Sequence, residues 1–134
     1  LGIKYVSFEK LITQSDIISI HVPHTKETDH MFNMKIFRKM KKSAFLINTS
    51  RGKIVNEKDL VMALKKKMIA GVGLDVFEIE PISKKHPLVK LQNVVLAPHI
   101  GSSTKETRIK MAEITVKNLN LGMSGKKPIY SVGY

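Results

Sequence analysis

The chain has 134 residues, of which 43% are hydrophobic, so it can bury one core but is too short for two ordinary domains. It has no cysteine, which excludes disulfides and thiolate metal sites, and no apolar run near the roughly 20 residues that span a bilayer, so we expect a soluble cytoplasmic protein without a membrane partner. Its formal net charge is +12, but the lysine clusters at residues 39–42 and 65–67 follow helical segments and lack interleaved aromatic residues, which argues against a nucleic-acid partner.

The first predicted elements alternate between helices and strands. A short helix is expected at residues 8–14, and a continuous apolar strand follows at residues 17–22 and stops at Pro23. A short helical segment at residues 32–40 then leads to a second strand at residues 44–49. Continuous rather than alternating hydrophobicity is typical of strands that are buried on both faces of a sheet.

The next part of the chain continues this alternation. Asn56 is the predicted N-cap of a helix at residues 57–67, and a third strand follows at residues 69–76. After an irregular stretch, a fourth strand at residues 94–97 ends before Pro98. Strands that alternate with helices predict right-handed crossovers and a parallel sheet covered on both faces, which is an α/β fold.

The last predicted helix begins at a capping box. Ser103 and Glu106 have the spacing at which each side chain accepts a hydrogen bond from the other residue's amide. Apolar residues then recur at helical spacing to about residue 121, and the tail from residue 129 has no clear assignment.

The carboxyl ends of the strands are where chemistry is expected, because ligands of parallel sheets bind in the crevice beyond these ends. The second strand leads to Arg51, the third to Asp75 and Glu80, and the fourth to His99. An arginine fork binds a carboxylate at two points, and a histidine beside a carboxylate can act as a general acid near neutral pH. These residue types together fit a substrate that carries a carboxylate next to a reducible carbonyl.

Three stretches resemble the diagnostic motifs of the D-isomer-specific 2-hydroxyacid dehydrogenases. They are INTSRGKIVNEKDLVMAL at residues 47–64, GVGLDVFEIEP at residues 71–81 and VVLAPHIGSSTKETR at residues 94–108. Residues 15–33 are similar to the stretch that precedes these motifs in the same family. The family includes glyoxylate/hydroxypyruvate reductases, phosphoglycerate dehydrogenases, D-lactate dehydrogenases and formate dehydrogenases. The resemblance covers nearly the whole chain, with the motifs in the family's order.

The resemblance implies an oxidoreductase that transfers hydride between NAD or NADP and C2 of a 2-hydroxy or 2-oxo acid. It makes Arg51 the anchor of the substrate carboxylate and carbonyl, His99 the acid-base group, and Glu80 the carboxylate that orients its imidazole. Relatives are commonly dimers, so it also implies a homodimer. The cofactor-binding positions that it implies are Val22, Pro23, Thr49, Ser50, Arg51, Asp75, His99, Gly101 and Ser102.

The sequence departs from the family at the dinucleotide-binding motif, because it has no strand followed by G-x-G-x-x-G and a helix. Gly71 and Gly73 imitate half of this motif, but Val76 replaces the third glycine and the pair lies within a predicted strand. We therefore expect a partial Rossmann-type sheet flanked by helices and without the first βαβ unit. Residues 1–102 would form the second half of the NAD(P)-binding domain, and residues 103–134 a crossover helix and tail that return to the substrate domain. Because phosphate anchoring supplies much of dinucleotide affinity, weak cofactor binding and little or no turnover are expected of this chain alone.

Two other functions and a metal site are alternatives to the reductase. A non-catalytic Rossmann-like binding or assembly module of the same family is the main alternative, and the joint presence of the arginine, glutamate and histidine favours the enzyme. A hydrolase could use Ser50, Asp75 and His99, but there is no G-x-S-x-G elbow and the serine precedes an arginine. His21 and His24 have no third ligand that spacing identifies, so no metal site is predicted.

Overall fold

A computed structural model describes residues 2–131 of the protein, which divide into two compact units, one up to His99 and one from Ile100. The first unit contains a parallel four-stranded sheet in which the strands follow one another in chain order. The strands are β1 (Ile17–Ile20), β2 (Phe45–Asn48), β3 (Gly71–Leu74) and β4 (Val94–Leu96). The predicted α/β fold of four parallel strands is therefore confirmed.

Three helices of the first unit connect or precede the strands. They are α1 (Phe8–Gln14), α2 (Met34–Phe37) and α3 (Glu57–Lys65), and 3-10 turns form at Gly52–Ile54 and Pro87–Lys90. The predicted cap of α3 is confirmed, since the Asn56 side chain accepts a hydrogen bond from the Asp59 amide at 3.0 Å. The segment between β3 and β4, predicted to be irregular, contains only the second 3-10 turn.

One face of the sheet and the three helices enclose the hydrophobic core. Side chains of alternate strand residues meet the inner faces of the helices, and each is at most 5% exposed: Ile18, Leu46 and Leu74 from the strands, and Ile12, Phe37 and Leu60 from the helices. Burying an aliphatic or aromatic side chain of this size contributes about 1.5–3 kcal/mol. This layer fixes the sheet whose ends carry the candidate site.

The opposite face of the sheet, here called the open face, carries Ile17, Phe45 and Val95. These residues are 68%, 47% and 73% exposed, so the prediction that the strands are buried on both faces is wrong. The reason lies in the strand order. Because successive right-handed crossovers all step in the same direction across the sheet, the helices of residues 2–99 collect on one face.

The second unit contains α4 (Lys105–Met123). Its N-cap is Thr104, whose hydroxyl accepts a hydrogen bond from the Thr107 amide at 3.2 Å, so the capping box predicted one residue earlier, at Ser103, is wrong. The Ser103 hydroxyl instead accepts a hydrogen bond from Arg108 at 3.1 Å. The predicted tail reaches residues 132–134, which lie outside the described residues. None of the helices within residues 2–131 combines the length and apolarity needed to cross a membrane.

Candidate active site

The strand register brings the ends of four segments to one edge of the sheet. Ile20 pairs with Asn48, Asn48 with Leu74, and Leu74 with Leu96, so the strands end level with one another. The segments that follow these ends carry the predicted site residues of the first unit, namely Val22, Pro23, Thr49, Ser50, Arg51, Asp75, Glu80 and His99. Gly101 and Ser102 are exposed residues of the second unit.

His99 and Glu80 form a direct pair at this edge. The Nδ1 atom of His99 lies 2.7 Å from Oε2 of Glu80, and Oε1 of Glu80 accepts a hydrogen bond from the Phe77 amide at 3.0 Å. These two hydrogen bonds, first that of His99 and then that of Phe77, hold the pKa of the Glu80 carboxyl below its ordinary value. Because Nδ1–H donates to the carboxylate, Nε2 of His99 is the nitrogen that can exchange a proton with another molecule.

The surroundings of this pair suit a small ligand. A cavity of about 460 Å³ is lined by Phe77, Glu80, Pro81, Ile82, Pro98 and His99. The side chains of His99 and Glu80 are 50% and 35% exposed, so a molecule in the cavity can reach them. The backbone of His99 has a φ of 55°, which is strained for a residue with a side chain and is typical of functional positions.

Arg51 lies in a turn that Asn48 organises. Asn48 is 1% exposed. Its side-chain nitrogen donates a hydrogen bond to the Arg51 carbonyl at 3.0 Å, and its side-chain oxygen accepts one from the Ser50 backbone amide at 3.0 Å. The exposed Arg51 guanidinium donates to the Ser50 carbonyl at 2.7 Å, so its described partner is this turn and not the histidine–glutamate pair. The sequence-based site set omitted Asn48, although an asparagine that ends an apolar strand before a turn is a recognisable signal.

Gly52 brings the arginine turn close to the segment that carries Glu80. A Cβ atom at Gly52 would lie 1.9 Å from the Phe77 carbonyl carbon and 2.5 Å from the Glu78 nitrogen. Only glycine allows this approach, because real Cβ atoms do not come so near to backbone atoms. The contact sets how the segments after β2 and β3 lie against each other.

The remaining predicted residues frame the same edge. Asp75 is 7% exposed, and its amide donates to the Asn48 carbonyl at 3.0 Å, which continues the pairing of β2 with β3. The Ser50 hydroxyl donates to the Val22 carbonyl across the ends of β1 and β2. This hydroxyl is therefore engaged by a carbonyl oxygen instead of a base, and the hydrolase hypothesis has no support in the geometry.

The two histidines considered above as candidate metal ligands, His21 and His24, have other partners. His21 hydrogen-bonds Ser19 at 2.8 Å, and His24 lies 2.7 Å from an Asp29 oxygen. Within residues 2–131, no group of three or more histidine, aspartate or glutamate side chains could hold a metal ion.

Comparison with known protein families identifies the class of protein to which the chain belongs. Residues 1–101 match the family model of the D-isomer specific 2-hydroxyacid dehydrogenase, NAD binding domain. The chain is therefore a member of the D-isomer specific 2-hydroxyacid dehydrogenase family, as the motif resemblance predicted.

Individual relatives agree with this membership. The chain is 54% identical over 128 residues to a glyoxylate reductase of Korarchaeum cryptofilum, covering 96% of this chain and 39% of the relative. Among solved structures, an NADPH-dependent glyoxylate/hydroxypyruvate reductase of Sinorhizobium meliloti, in complex with NADP and malonate, is 34% identical with a TM-score of 0.91, over 99% of this chain and 42% of that one. A D-lactate dehydrogenase of Lactobacillus jensenii with NAD+ is 30% identical with a TM-score of 0.86, over 97% of this chain and 43% of that one. The chain thus spans about two fifths of the length of the relatives that it matches.

Proposed function

We propose that the protein is an NAD(P)-dependent D-2-hydroxyacid dehydrogenase that reduces a 2-oxo acid to the 2-hydroxy acid and catalyses the reverse oxidation. The observation that carries this proposal is the 2.7 Å contact between His99 and Glu80 beside a cavity at the carboxyl edge of the sheet. Such a pair can supply and recover one proton at a carbonyl oxygen. The proposed partner is accordingly a small 2-oxo or 2-hydroxy acid and neither a nucleic acid nor a membrane.

Arg51, His99 and Glu80 each have a separate role in the proposed reaction. Arg51 exchanges its hydrogen bond with the Ser50 carbonyl for the carboxylate and carbonyl of the substrate, and so orients the reacting carbon. His99 donates a proton from Nε2 to the carbonyl oxygen during reduction and accepts it during oxidation. Glu80 accepts the hydrogen bond from Nδ1–H, which fixes the orientation of the ring.

The residues at the sheet edge fit the nicotinamide half of NAD or NADP. The hydroxyl and carboxyl groups of Thr49, Ser50 and Asp75 can hydrogen-bond a carboxamide and ribose, and the other groups proposed to contact the cofactor are Val22, Pro23, Arg51, His99, Gly101 and Ser102. A bound nicotinamide supplies the hydride that this reaction needs. The sequence has no G-x-G-x-x-G loop for the pyrophosphate, so this chain offers only part of a cofactor site.

The test places the chain within a longer relative, of which it covers 39%. A chimera replaces the matching segment of the Korarchaeum cryptofilum glyoxylate reductase with this chain, and absorbance of reduced nicotinamide is followed with glyoxylate, hydroxypyruvate or pyruvate. We expect turnover by the chimera and a loss of about 100-fold or more in kcat/KM in its His99→Ala and Arg51→Ala variants. The isolated chain, assayed in parallel, should bind NADH weakly and show little turnover.

The main alternative is a non-catalytic binding or assembly module, which the lack of a glycine-rich loop and the exposed sheet face favour. A folded chimera that binds NADH but reduces none of the three acids would contradict the dehydrogenase and support this module. A chimera whose turnover survives both substitutions would contradict the proposed roles of Arg51 and His99.

We also propose that the protein is a homodimer of the cytoplasm. A sequence without cysteine suits a reducing compartment, and the apolar side chains of the open face favour self-association. Light scattering coupled to gel filtration measures the oligomeric state, and a monomer at micromolar concentration would contradict the dimer. Fractionation of the producing cell tests the compartment.

A further inference from the structure

Two glutamates outside the histidine–glutamate pair hold the segment that carries Glu80. The amide of Glu57, the first residue of α3, donates to Oε1 of Glu78 at 2.8 Å, and the amide of Glu78 donates to Oε1 of Glu57 at 2.7 Å. Their side chains are only 11% and 30% exposed. This reciprocal arrangement, here called the Glu57–Glu78 clasp, ties the start of α3 to the loop after β3.

Histidines hold both carboxylates of the clasp from outside. His86 has Nε2 at 3.2 Å from the second oxygen of Glu57, and its Nδ1 accepts a hydrogen bond from the Leu88 amide. The neutral ring of His86 therefore carries its proton on Nε2 and donates it to Glu57. On the other side, Nε2 of His30 lies 3.3 Å from Oε1 of Glu78. Each carboxylate thus has a backbone amide and a ring nitrogen as partners, which restricts its rotation.

The clasp is linked to Glu80 through the short loop segment that both share, and three contacts hold this segment. Glu78 lies two residues before Glu80, and the preceding amide, that of Phe77, donates to Glu80 itself. The Phe77 side chain is 5% exposed, so it anchors the same segment in the core. Gly52 contacts the backbone of Phe77 and Glu78 from the arginine turn. The backbone that aims Glu80 at His99 is thereby held on the core side and at the start of α3.

We propose that the Glu57–Glu78 clasp is a positioning device, which holds Glu80 at hydrogen-bond distance from His99 for the proton transfer of the proposed function. Neither glutamate of the clasp touches the reacting atoms, so both are positioning residues. Burial raises the pKa of the Glu57 carboxyl, and keeping this group ionised therefore costs stability. A costly contact next to a functional pair is more readily explained by the geometry that it imposes than by a gain in stability.

The test measures Glu80 and His99 in the full chain without cofactor or substrate. Carbon-detected NMR follows the Glu80 carboxyl through a pH titration, and proton NMR follows the hydrogen on Nδ1 of His99. In Glu78→Ala, we expect the pKa of Glu80 to rise toward its ordinary value of 4.5 and the Nδ1 proton signal to weaken. Glu78→Asp, which keeps the charge but is too short to reach the Glu57 amide, should do the same. Glu78→Gln, which keeps an oxygen acceptor at full length but removes the charge, should leave the pKa of Glu80 low and the Nδ1 proton signal intact.

If Glu78 acted on Glu80 through its charge alone, the pKa of Glu80 would fall in Glu78→Ala, because removing a negative neighbour lowers the pKa of a carboxyl. In Glu78→Asp, which keeps the charge, it would not change. A lowered or unchanged pKa of Glu80 in folded Glu78→Ala and Glu78→Asp proteins would overturn the proposal. If the alanine variant does not fold, the aspartate variant decides. Ile79→Ala is the matched control in the same loop, since Ile79 is 80% exposed, and it should leave Glu80 unchanged. None of these readouts needs turnover, so a folded chimera that binds NADH but is inactive would overturn the proposed function without affecting this result.

Discussion

Asn48 and Gly52 show how two small residues decide where the charged group of Arg51 can lie. The buried Asn48 amide satisfies backbone groups on both sides of the turn, and Gly52 allows the chain to pass within contact of Phe77. Neither role depends on the arginine side chain itself. An exposed, flexible side chain is thus presented by a rigid backbone, which is what a group that orients a substrate requires.

Replacing Gly52 by alanine should disturb this backbone. The new methyl group would lie 1.9 Å from the Phe77 carbonyl carbon, so the loop after β3 or the arginine turn must move. We expect a loss of about 3 kcal/mol in the free energy of unfolding, measured by urea denaturation. Gly122→Ala is the control, because the added Cβ meets nothing within 4 Å. Equal stability of Gly52→Ala and the natural protein would show that the close approach is not constrained.

The buried Glu57 carboxyl makes the stability of the protein depend on pH. Burial raises its pKa in the folded protein, partly offset by the Glu78 amide and His86, while the charges of Glu78 and Glu80 raise it further. Its contribution to stability is therefore fully present below its unfolded pKa of about 4.5 and is lost as pH rises through the higher folded value. Glu57→Gln removes this loss, so its stability relative to the natural protein should increase from about pH 4 to about pH 7. Denaturation at a series of pH values measures the difference, and a difference that falls with pH would contradict the assignment.

At the scale of elements, the sequence predicts helix starts well where one capping residue is available and poorly where two compete. Asn56 is the cap of α3 as predicted, because no alternative side chain precedes the apolar run. At α4, Ser103 and Thr104 are adjacent hydroxyl residues, and either can cap a helix. The folded chain uses Thr104, and local spacing does not distinguish the two residues.

Thr104→Ala should therefore destabilise the first turn of α4, with Ser103→Ala as its matched control. The lost hydrogen bond to the Thr107 amide is worth about 1 kcal/mol, while the Ser103 hydroxyl makes only an exposed hydrogen bond with Arg108, so its loss should change stability by less than about 0.5 kcal/mol. Hydrogen exchange of the Thr107 amide and far-UV circular dichroism measure the effect. Faster exchange in Ser103→Ala than in Thr104→Ala would restore the original capping box.

At the scale of the whole molecule, the open face is the main departure from the sequence-based expectation. Apolar strand residues lie on both faces of the sheet, yet the helices of the first unit cover only one face. Val95 of β4 is 73% exposed, whereas Val72 of β3, on the core face, is 3% exposed. The same residue type therefore has two different environments within one sheet.

Replacing each of these valines by threonine separates the two environments. Val95→Thr should leave the free energy of unfolding of the monomer within about 0.5 kcal/mol of the natural value and should reduce self-association, because it removes exposed apolar surface. Val72→Thr should cost about 1–3 kcal/mol, since it buries a hydroxyl. Denaturation and light scattering measure the two effects. A large loss of stability in the Val95→Thr monomer would contradict the exposure of Val95 in the single chain.

The sequence by itself determined the class of fold, the order of strands and helices and the family, because these depend on local hydrophobic patterns and on motifs within short stretches. It also identified Arg51, Glu80 and His99 as candidate site residues, because they follow predicted parallel strands. Only the tertiary structure decided that His99 contacts Glu80 directly, while Arg51 hydrogen-bonds within its own turn. It also decided that Asn48, Gly52 and the Glu57–Glu78 clasp hold the backbone of these groups in place. Finally, it decided that one face of the sheet is exposed. These features depend on contacts between residues far apart in the chain, and no local pattern specifies which of several polar partners a side chain will reach.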